Sequence, residues 1–416
     1  MKTKFLLIAL LTVSLSAAKA QSTLKLSDIL EQIERENPEL KMNDAEIRSM
    51  DEAAKGARNW ESPKVGTGFL MTPYNASLWK KMADGSPGMG QYMISAEQMF
   101  PKKSMQDANA NYMNAASSVE KENKNARLNE LKALAKKNYF EWQINQKKDA
   151  VLVENEKLLR FMIKDTEIRY KNGLDKLSAY YKATAALGKI ENLRLMLKSE
   201  IIQKRILLNT LMNQNKRQEF NVDTVQTMSA ISVAVSDSSL IRSRSDIKAI
   251  DQNINLIALQ QNIEKAKLKP GFGLRYEHMI GFGGSVNQFT LMGMITIPMP
   301  WSTRSEKANI ESLKWREEAL NQQKETLINE SMGMASTAQN ELELKKNQVK
   351  LFETNIIPAL RRNYQSMQIG YQQNTEELFM LYDAWESLNM AQLEYLEQVK
   401  QVLLMQAELE RILELK

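Results

Sequence analysis

Apolar residues recur every seven positions towards the end of the chain, at Leu381, Leu388, Tyr395, Val402 and Leu409. A second seam three residues on holds Ala384, Ala391, Met405 and Ile412, interrupted by Gln398. This spacing predicts a helix packed lengthwise against neighbours. The stretch also copies an earlier one: residues 167–213 return as about 368–414, shifted by 201 positions. Ile168 and Tyr170 match Ile369 and Tyr371, Leu177 matches Leu378, Tyr181 matches Tyr382, Ala183 matches Ala384, and Leu187 matches Leu388. The first copy carries the matching seam on Tyr180, Leu187, Ile201 and Leu208, with Arg194 breaking it. Each copy reads as a short turn followed by a long helix, so a duplicated, elongated helical object is expected.

Elsewhere the period drops to two. Ser27 to Asn59 is predicted helical, with Leu30, Ile33, Leu40, Ile47 and Ala54 in helical register and Ser27 as N-cap. Pro38 is expected to start a second helix there, capped by Asn37. Beyond Pro63, Val65, Thr67, Phe69 and Met71 alternate with Gly66, Gly68 and Leu70, a strand pattern. Pro73 to Gly90 reads as a polar loop. Gln91 to Met99 alternates again, with Tyr92, Ile94 and Ala96 on one side and Ser95 and Glu97 on the other, and Phe100-Pro101 ends it.

The second half repeats the order. Ser239 to Lys269 is predicted helical; Leu40-Lys41 matches Ile247-Lys248, and Pro63-x-x-Gly66 matches Pro270-x-x-Gly273, both at an offset of 207. Phe272, Leu274, Tyr276 and Ile280 form one strand face, with Gly273, Arg275, Glu277 and Met279 opposite. After a glycine-rich turn at 281–285, Phe289, Leu291, Ile295 and Ile297 alternate with Thr290, Met292, Met294 and Thr296. The strands of the first hairpin are expected to run about nine or ten residues, the length a tilted membrane-spanning strand needs.

Four strands cannot close a barrel, and an open sheet edge is intolerable in lipid, so several chains must contribute strands. Three chains would give about twelve, an even count in the known range. Each hairpin is followed by a very long helix, about 102–171 and 302–372, extending roughly 100 Å. Pro358 is expected to kink or break the second. The organisation expected is a first repeat over 21–213 (hairpin 64–100, helical hairpin 102–213) and a connector at 214–238. A second repeat follows over 239–416 (hairpin 271–298, helical hairpin 302–414).

Composition adds location and exclusions. Residues 1–20 have the parts of a secretory signal: Lys2 and Lys4, the apolar run Phe5 to Leu15, and Ala18-Lys19-Ala20 as cleavage site, with the mature chain expected from Gln21. The chain has no Cys, hence neither disulfides nor a lipidated N-terminal cysteine. Removing Lys2, Lys4 and Lys19 from the 56 basic residues leaves 53 against 50 acidic, a net charge of +3. The charges are interspersed, so nothing points to nucleic acid. His278 is the single histidine and has no acidic neighbour at a triad-like spacing, and no glycine cluster matches a phosphate loop. No enzyme, catalytic residue, cofactor or resident metal is expected.

The order helix, β-hairpin, long helix, turn, long helix, present twice, resembles the TolC-like outer-membrane efflux family. Tyr170, Gly173, Leu177 and Ala183 reproduce that family's periplasmic-tip pattern. Tyr371, Leu378 and Ala384 repeat it with Asn374 where Gly is usual, a residue that tolerates a left-handed backbone. Arg244-Ser245-Asp246-Ile247 resembles the family's Arg-Pro-Asp-Leu/Ile segment with Pro replaced.

The resemblance implies a mainly α fold with a small β part: a homotrimer with a twelve-stranded barrel in outer-membrane lipid and a periplasmic α-barrel. It implies an exit duct for small toxic solutes or metal ions, with a periplasmic adaptor (membrane-fusion protein) and an inner-membrane efflux pump as partners. Asn172, Gly173, Leu174, Gln373, Asn374 and Thr375 would be adaptor-docking tips, or plain hairpin turns. Asp175, Glu376 and Glu377 would form an acidic ring favouring cations at the entrance, or serve as ordinary helix-terminal acids.

Glu97, Arg275, Glu277, Met292 and Met294 are expected to face the lumen. Methionine is frequent, 24 residues, and thioethers suit Cu(I) and Ag(I). The sequence looks closer to the family's heavy-metal branch; adaptable packing is the alternative role for Met, and drugs the alternative cargo. A soluble periplasmic coiled-coil scaffold or chaperone is the rival reading, although it leaves two membrane-length hairpins with apolar faces unexplained.

Overall fold

The computed structural model describes residues 23–173, 176–223, 240 and 242–415. The signal at 1–20, the mature start at Gln21, the tip residues Leu174 and Asp175, residues 224–238 of the connector and the first residue of the second repeat, 239, lie outside the described residues. In chain order the elements are β1 (Thr23–Leu24), α1 (Leu26–Glu36), α2 (Pro38–Ala54), β2 (Lys64–Leu70), a 3-10 turn (Ala76–Trp79), β3 (Gln91–Phe100), α3 (Lys103–Lys171) and α4 (Leu177–Leu211). There follow β4 (Asn221–Val222), α5 (Ser245–Lys267), β5 (Gly271–Gly281), β6 (Gln288–Thr296), α6 (Arg304–Leu351), a π turn (Phe352–Ile356), α7 (Ile357–Gln372) and α8 (Leu378–Leu413). The fold is mainly α with two β-hairpins, as expected. No helix among the described residues is long and apolar enough to cross a membrane.

One local expectation is corrected, and another takes a specific form. Ser27 does not cap α1: the helix starts behind Lys25, whose backbone N–H donates to the Asp28 carboxylate at 3.2 Å, and Ser27 sits inside the first turn. Pro358 locally breaks the long helix, as expected: the regular α-helix stops at Leu351 and resumes at Ile357. Proline lacks an N–H, and its ring would strike the carbonyl of residue 354 in a regular helix. The chain widens into a five-residue π turn before α7 begins, with Pro358 in the first turn of α7. The Asn37-Pro38 junction follows expectation, since Asn37 Oδ1 accepts the Glu39 N–H at 3.0 Å.

The chain divides into two compact units. The first takes 23–42, 124–245 and 328–415 of the described residues. One of its cores gathers Ile29, Ile33, Trp142, Leu208, Met212 and Phe220, with the Trp142 and Phe220 rings 5.0 Å apart. The start of the connector is structured: Phe220 is buried, and Asn221–Val222 pair in parallel with Thr23–Leu24. A second core joins Leu152, Leu159 and Ile190 to Tyr371, Leu378, Leu381, Tyr382 and Trp385.

The heptad positions Leu381, Leu388, Val402 and Leu409 are buried. The polar residues that interrupt the seams are occupied. Arg194 pairs with Asp149 at 2.8 Å and with Glu156 at 2.5 Å, and Gln398 Oε1 accepts from Lys345 at 3.1 Å. The Arg244-Ser245 segment ties the start of α5 to the end of α8. Arg244 Nη1 donates to the Ile412 carbonyl at 2.9 Å, and the Ser245 N–H donates to the Glu414 carboxylate at 2.6 Å.

The second unit takes 43–123 and 246–327. It holds a four-stranded sheet in the order β2-β3-β5-β6, antiparallel throughout, in which the two hairpins join through β3 and β5.

Candidate functional site

The register sorts the sheet into two unlike faces. Tyr276 pairs with Ala96 and Leu291, His278 with Ile94 and Phe289, and Phe272 with Phe100 and Ile295, so apolar side chains line up across the strands on one face. Val65, Thr67 and Phe69 continue that face on β2. In a protein surrounded by water it would be a large exposed apolar patch: Val65, Phe69, Phe289, Leu291 and Ile295 are each at least 60% exposed. His278 lies within it, at a strand position rather than in any polar cluster.

Aromatic rings gather at both ends of the strands. At the loop end Phe69 packs on Trp79, Tyr92 and Phe282, and the Trp79 and Phe282 rings stack 5.3 Å apart. At the helix end Trp60 meets Phe100 edge-on at 6.1 Å, and Trp301 is exposed. These girdles were not singled out from the sequence. The signal was present: four of the six tryptophans, Trp60, Trp79, Trp301 and Trp315, fall within the hairpins' flanks or just after them.

The other face is polar and sulfur-rich. It carries Glu97, Arg275, Glu277, Met292 and Met294, the five residues expected together, along with Lys64, Met93, Met99 and Met279. Lys64, Glu97, Arg275 and Met292 form one row across four strands, and Arg275 also pairs with Glu277 at 2.6 Å. Gly273 stands between Met99 and Met294, and a Cβ there would overlap the Met99 sulfur and come within 3.2 Å of the Met294 methyl. Both outer strands, β2 and β6, have an unpaired edge in the single chain. No group of three or more His, Cys, Asp or Glu side chains able to hold a metal occurs among the described residues.

The helical turns belong to the first unit. Gly173 adopts φ +73°, and Asn374 takes the equivalent left-handed conformation at φ +57°. The two turns are linked directly. Arg169 donates to Asn374 Oδ1 at 2.7 Å and lies 4.5 Å from the Tyr371 ring centroid, while Tyr371 donates to the Asp165 carboxylate at 2.9 Å. Lys182 pairs with Asp383 at 2.7 Å and sits 3.6 Å from the Phe379 ring centroid.

The copies are not equivalent. Tyr371 and Leu378 are buried, whereas Tyr170 and Leu177 are exposed. Asn172, Gly173, Gln373, Asn374 and Thr375 are exposed; Asn172 Nδ2 donates to the Ile168 carbonyl, and Thr375 Oγ1 to the Gly370 carbonyl. Of the acids, Glu377 pairs with Lys176 at 3.4 Å, and the Glu376 side chain packs beside Gly370. A cleft of about 470 Å³ between the turns is lined by Gly173, Lys176, Lys182, Glu377, Leu378 and Phe379.

No protein-family model matches the chain, and no curated protein matches it. Solved structures do. The outer-membrane channel OprN superposes with a TM-score of 0.74 at 16% identity, covering 93% of this chain and 89% of that one. CusC, described for its folding and transmembrane channel formation, gives 0.73 at 14% identity, covering 93% and 91%. The outer membrane protein VceC from Vibrio cholerae gives 0.73 at 15% identity, covering 93% and 95%. The chain has the TolC-like outer-membrane channel fold.

Proposed function

We propose that the protein is the outer-membrane exit duct of a tripartite efflux system, working as a homotrimer in a Gram-negative bacterium and extending into the periplasm. The observation that carries this reading is the two-faced sheet, whose exposed apolar face is bounded by aromatic girdles and whose polar face opposes it. Backbone groups on an open sheet edge cannot stay unpaired in hydrocarbon. Antiparallel joining of β6 from one copy to β2 of the next would satisfy both edges and close a barrel of about twelve strands. Apolar residues would then meet lipid, and Glu97, Arg275, Glu277, Met292 and Met294 would line the lumen. A soluble scaffold or chaperone would leave the apolar face in water.

The chain's part in transport is passive. A balanced row of Lys64, Glu97 and Arg275, with Glu277 beside it, gives a hydrated wall that favours neither sign of charge strongly. The work would come from an inner-membrane pump, through a periplasmic adaptor docking at the turns Asn172–Leu174 and Gln373–Thr375. Asp175, Glu376 and Glu377 would draw cations towards the entrance, weakly for Glu377 because an exposed pair with Lys176 already offsets it. Parting the turns would break the bonds Arg169–Asn374 and Tyr371–Asp165. The cargo is small toxic solutes or metal ions. Met93, Met99, Met279, Met292 and Met294 on one face favour soft metals, since thioethers bind Cu(I) and Ag(I).

Fractionated membranes and planar bilayers test the proposal. The protein should be found with the outer membrane, and purified protein should give stable conductance steps in a bilayer. Recovery in the soluble periplasmic extract, with no conductance, would refute it. For cargo, deletion of the gene should raise cell-associated copper and silver. Unchanged metal with raised dye or drug retention would replace metals by organic solutes.

A further inference from the structure

The hairpin loops at the end of the sheet remote from Pro101 and Pro270 are tied together by hydrogen bonds. Gly88 N–H donates to the Gly283 carbonyl at 3.1 Å, Phe282 N–H to the Gly90 carbonyl at 3.1 Å, and Ser285 Oγ to the Gly88 carbonyl at 2.7 Å. Only glycine fits this crossing. A Cβ at Gly88 would overlap the Trp79 carbonyl, and one at Gly283, where φ is +57°, would approach Gly88 N to 2.6 Å. Trp79 Nε1 donates to the Pro73 carbonyl at 2.8 Å, which fixes the indole against Phe69 and Phe282.

The result is an aromatic platform continuous with the apolar face, since Phe69 belongs to both. Directly after Trp79 come Lys80 and Lys81, both exposed and with no carboxylate partner among the described residues. The single acid of this loop, Asp84, is already engaged by Ser86, accepting its N–H at 3.0 Å and its hydroxyl at 2.5 Å. Loop 281–287 carries no charge at all. Two free ammonium groups therefore sit beside an aromatic platform whose other side continues into the lipid-facing surface.

We propose that this loop end is a binding site for a phosphorylated lipid of the outer leaflet, with Lys80 and Lys81 holding the phosphate and Trp79, Phe69 and Phe282 packing on the adjoining acyl chain. The assignment rests on the membrane reading above, which makes this end the exterior one. Long cationic side chains and amphipathic aromatics at one level are what an anionic headgroup needs: charge at the phosphate, ring surface at the glycerol or sugar boundary. A zwitterionic headgroup carries its own counter-charge and gains little.

The test reconstitutes the full chain in phosphatidylcholine nanodiscs doped with bis-phosphorylated lipid A and counts retained lipid A by native mass spectrometry after detergent exchange. Wild type should retain lipid A over phosphatidylcholine. Lys80→Gln/Lys81→Gln should weaken retention about thirtyfold, about one order of magnitude and a half for two surface charges. Lys103→Gln/Lys269→Gln, at the other end of the strands, should leave it unchanged. Equal retention by Lys80→Gln/Lys81→Gln and wild type would overturn the site while leaving the channel reading intact. Loss of retention on adding inorganic phosphate with no lipid preference would assign the lysines to free phosphate instead and also overturn it. A wild-type protein that fails to insert into the nanodiscs would overturn both readings together.

Discussion

At Asn374 the backbone turns left-handed, φ +57°, and the side chain accepts from Arg169 at 2.7 Å. The backbone favours Gly, Asn or Asp, and the bond from Arg169 favours a side chain over Gly. Asn374→Ala should therefore cost about 1–2 kcal/mol, from the left-handed backbone and the lost bond, and lower the thermal midpoint. Asn374→Gly should cost less, because it relieves the backbone while losing only the bond. Unfolding curves of the two variants check the order; Ala as stable as Gly would contradict it.

Two carboxylates on α8 set an acid limit. Burial opposes ionisation of Glu397, but hydrogen bonds from Lys148, Lys400 and Gln401 outweigh it and bring its pKa to about 2. Arg411 first, then Lys137 against the cost of burial, bring Glu408 to about 2 as well. Both folded-state values lie below the unfolded one of 4.5, so the stabilisation is complete above that pH and is lost as pH falls from 4.5 towards 2. Stability followed by circular dichroism should be flat above pH 5 and decline below about 4.5, and Glu408→Gln should flatten part of the decline. The turn at Asn374 was legible in the sequence because a left-handed position selects so few residues. The bonds that join the two turns were not, because Asp165 and Tyr371, or Arg169 and Asn374, meet only through tertiary packing.

The strands show what period alone can and cannot supply. Alternation at Phe272, Leu274 and Tyr276 against Gly273, Arg275 and Glu277 was enough to assign two faces, since the side-chain period of a strand is fixed at two. The β3–β5 pairing that makes one sheet of two hairpins joins residues 172 (Phe100 and Phe272) to 190 (Gln91 and Gly281) positions apart in sequence and left no local mark. The opposite faces of β6 give a sharp test. Leu291→Arg places a charge on the apolar face and should cost about 2–4 kcal/mol and cut the yield of membrane-inserted protein. Thr290→Arg, one residue back, on the polar side and opposite Glu277, should be tolerated. Similar yields from both variants would contradict the assignment of faces. In the helices, the heptads marked buried positions of α8 such as Leu381, Leu388, Val402 and Leu409 but not Leu396, Val399 or Leu403, and Tyr395 and Met405 of the seams are only half-buried; the π turn before Pro358 had no periodic signature. A proline predicts disturbance of a helix without saying whether the chain bends, breaks or widens.

At the scale of the molecule, duplication explains why one chain carries two hairpins and two helical pairs, yet neither half is a closed structure. β2 and β6 keep free edges, and helix residues such as Phe161, Leu195 and Trp315 are exposed apolar surface. The proposed assembly of copies would settle both at once, because it would pair edge with edge and cover helix with helix. The most direct measurement is the mass of the detergent-extracted protein, taken by light scattering corrected for bound detergent. A particle of three chains, extracted from the outer membrane and resistant to dilution, is the predicted result. A monomer or dimer that is soluble without detergent would contradict the account.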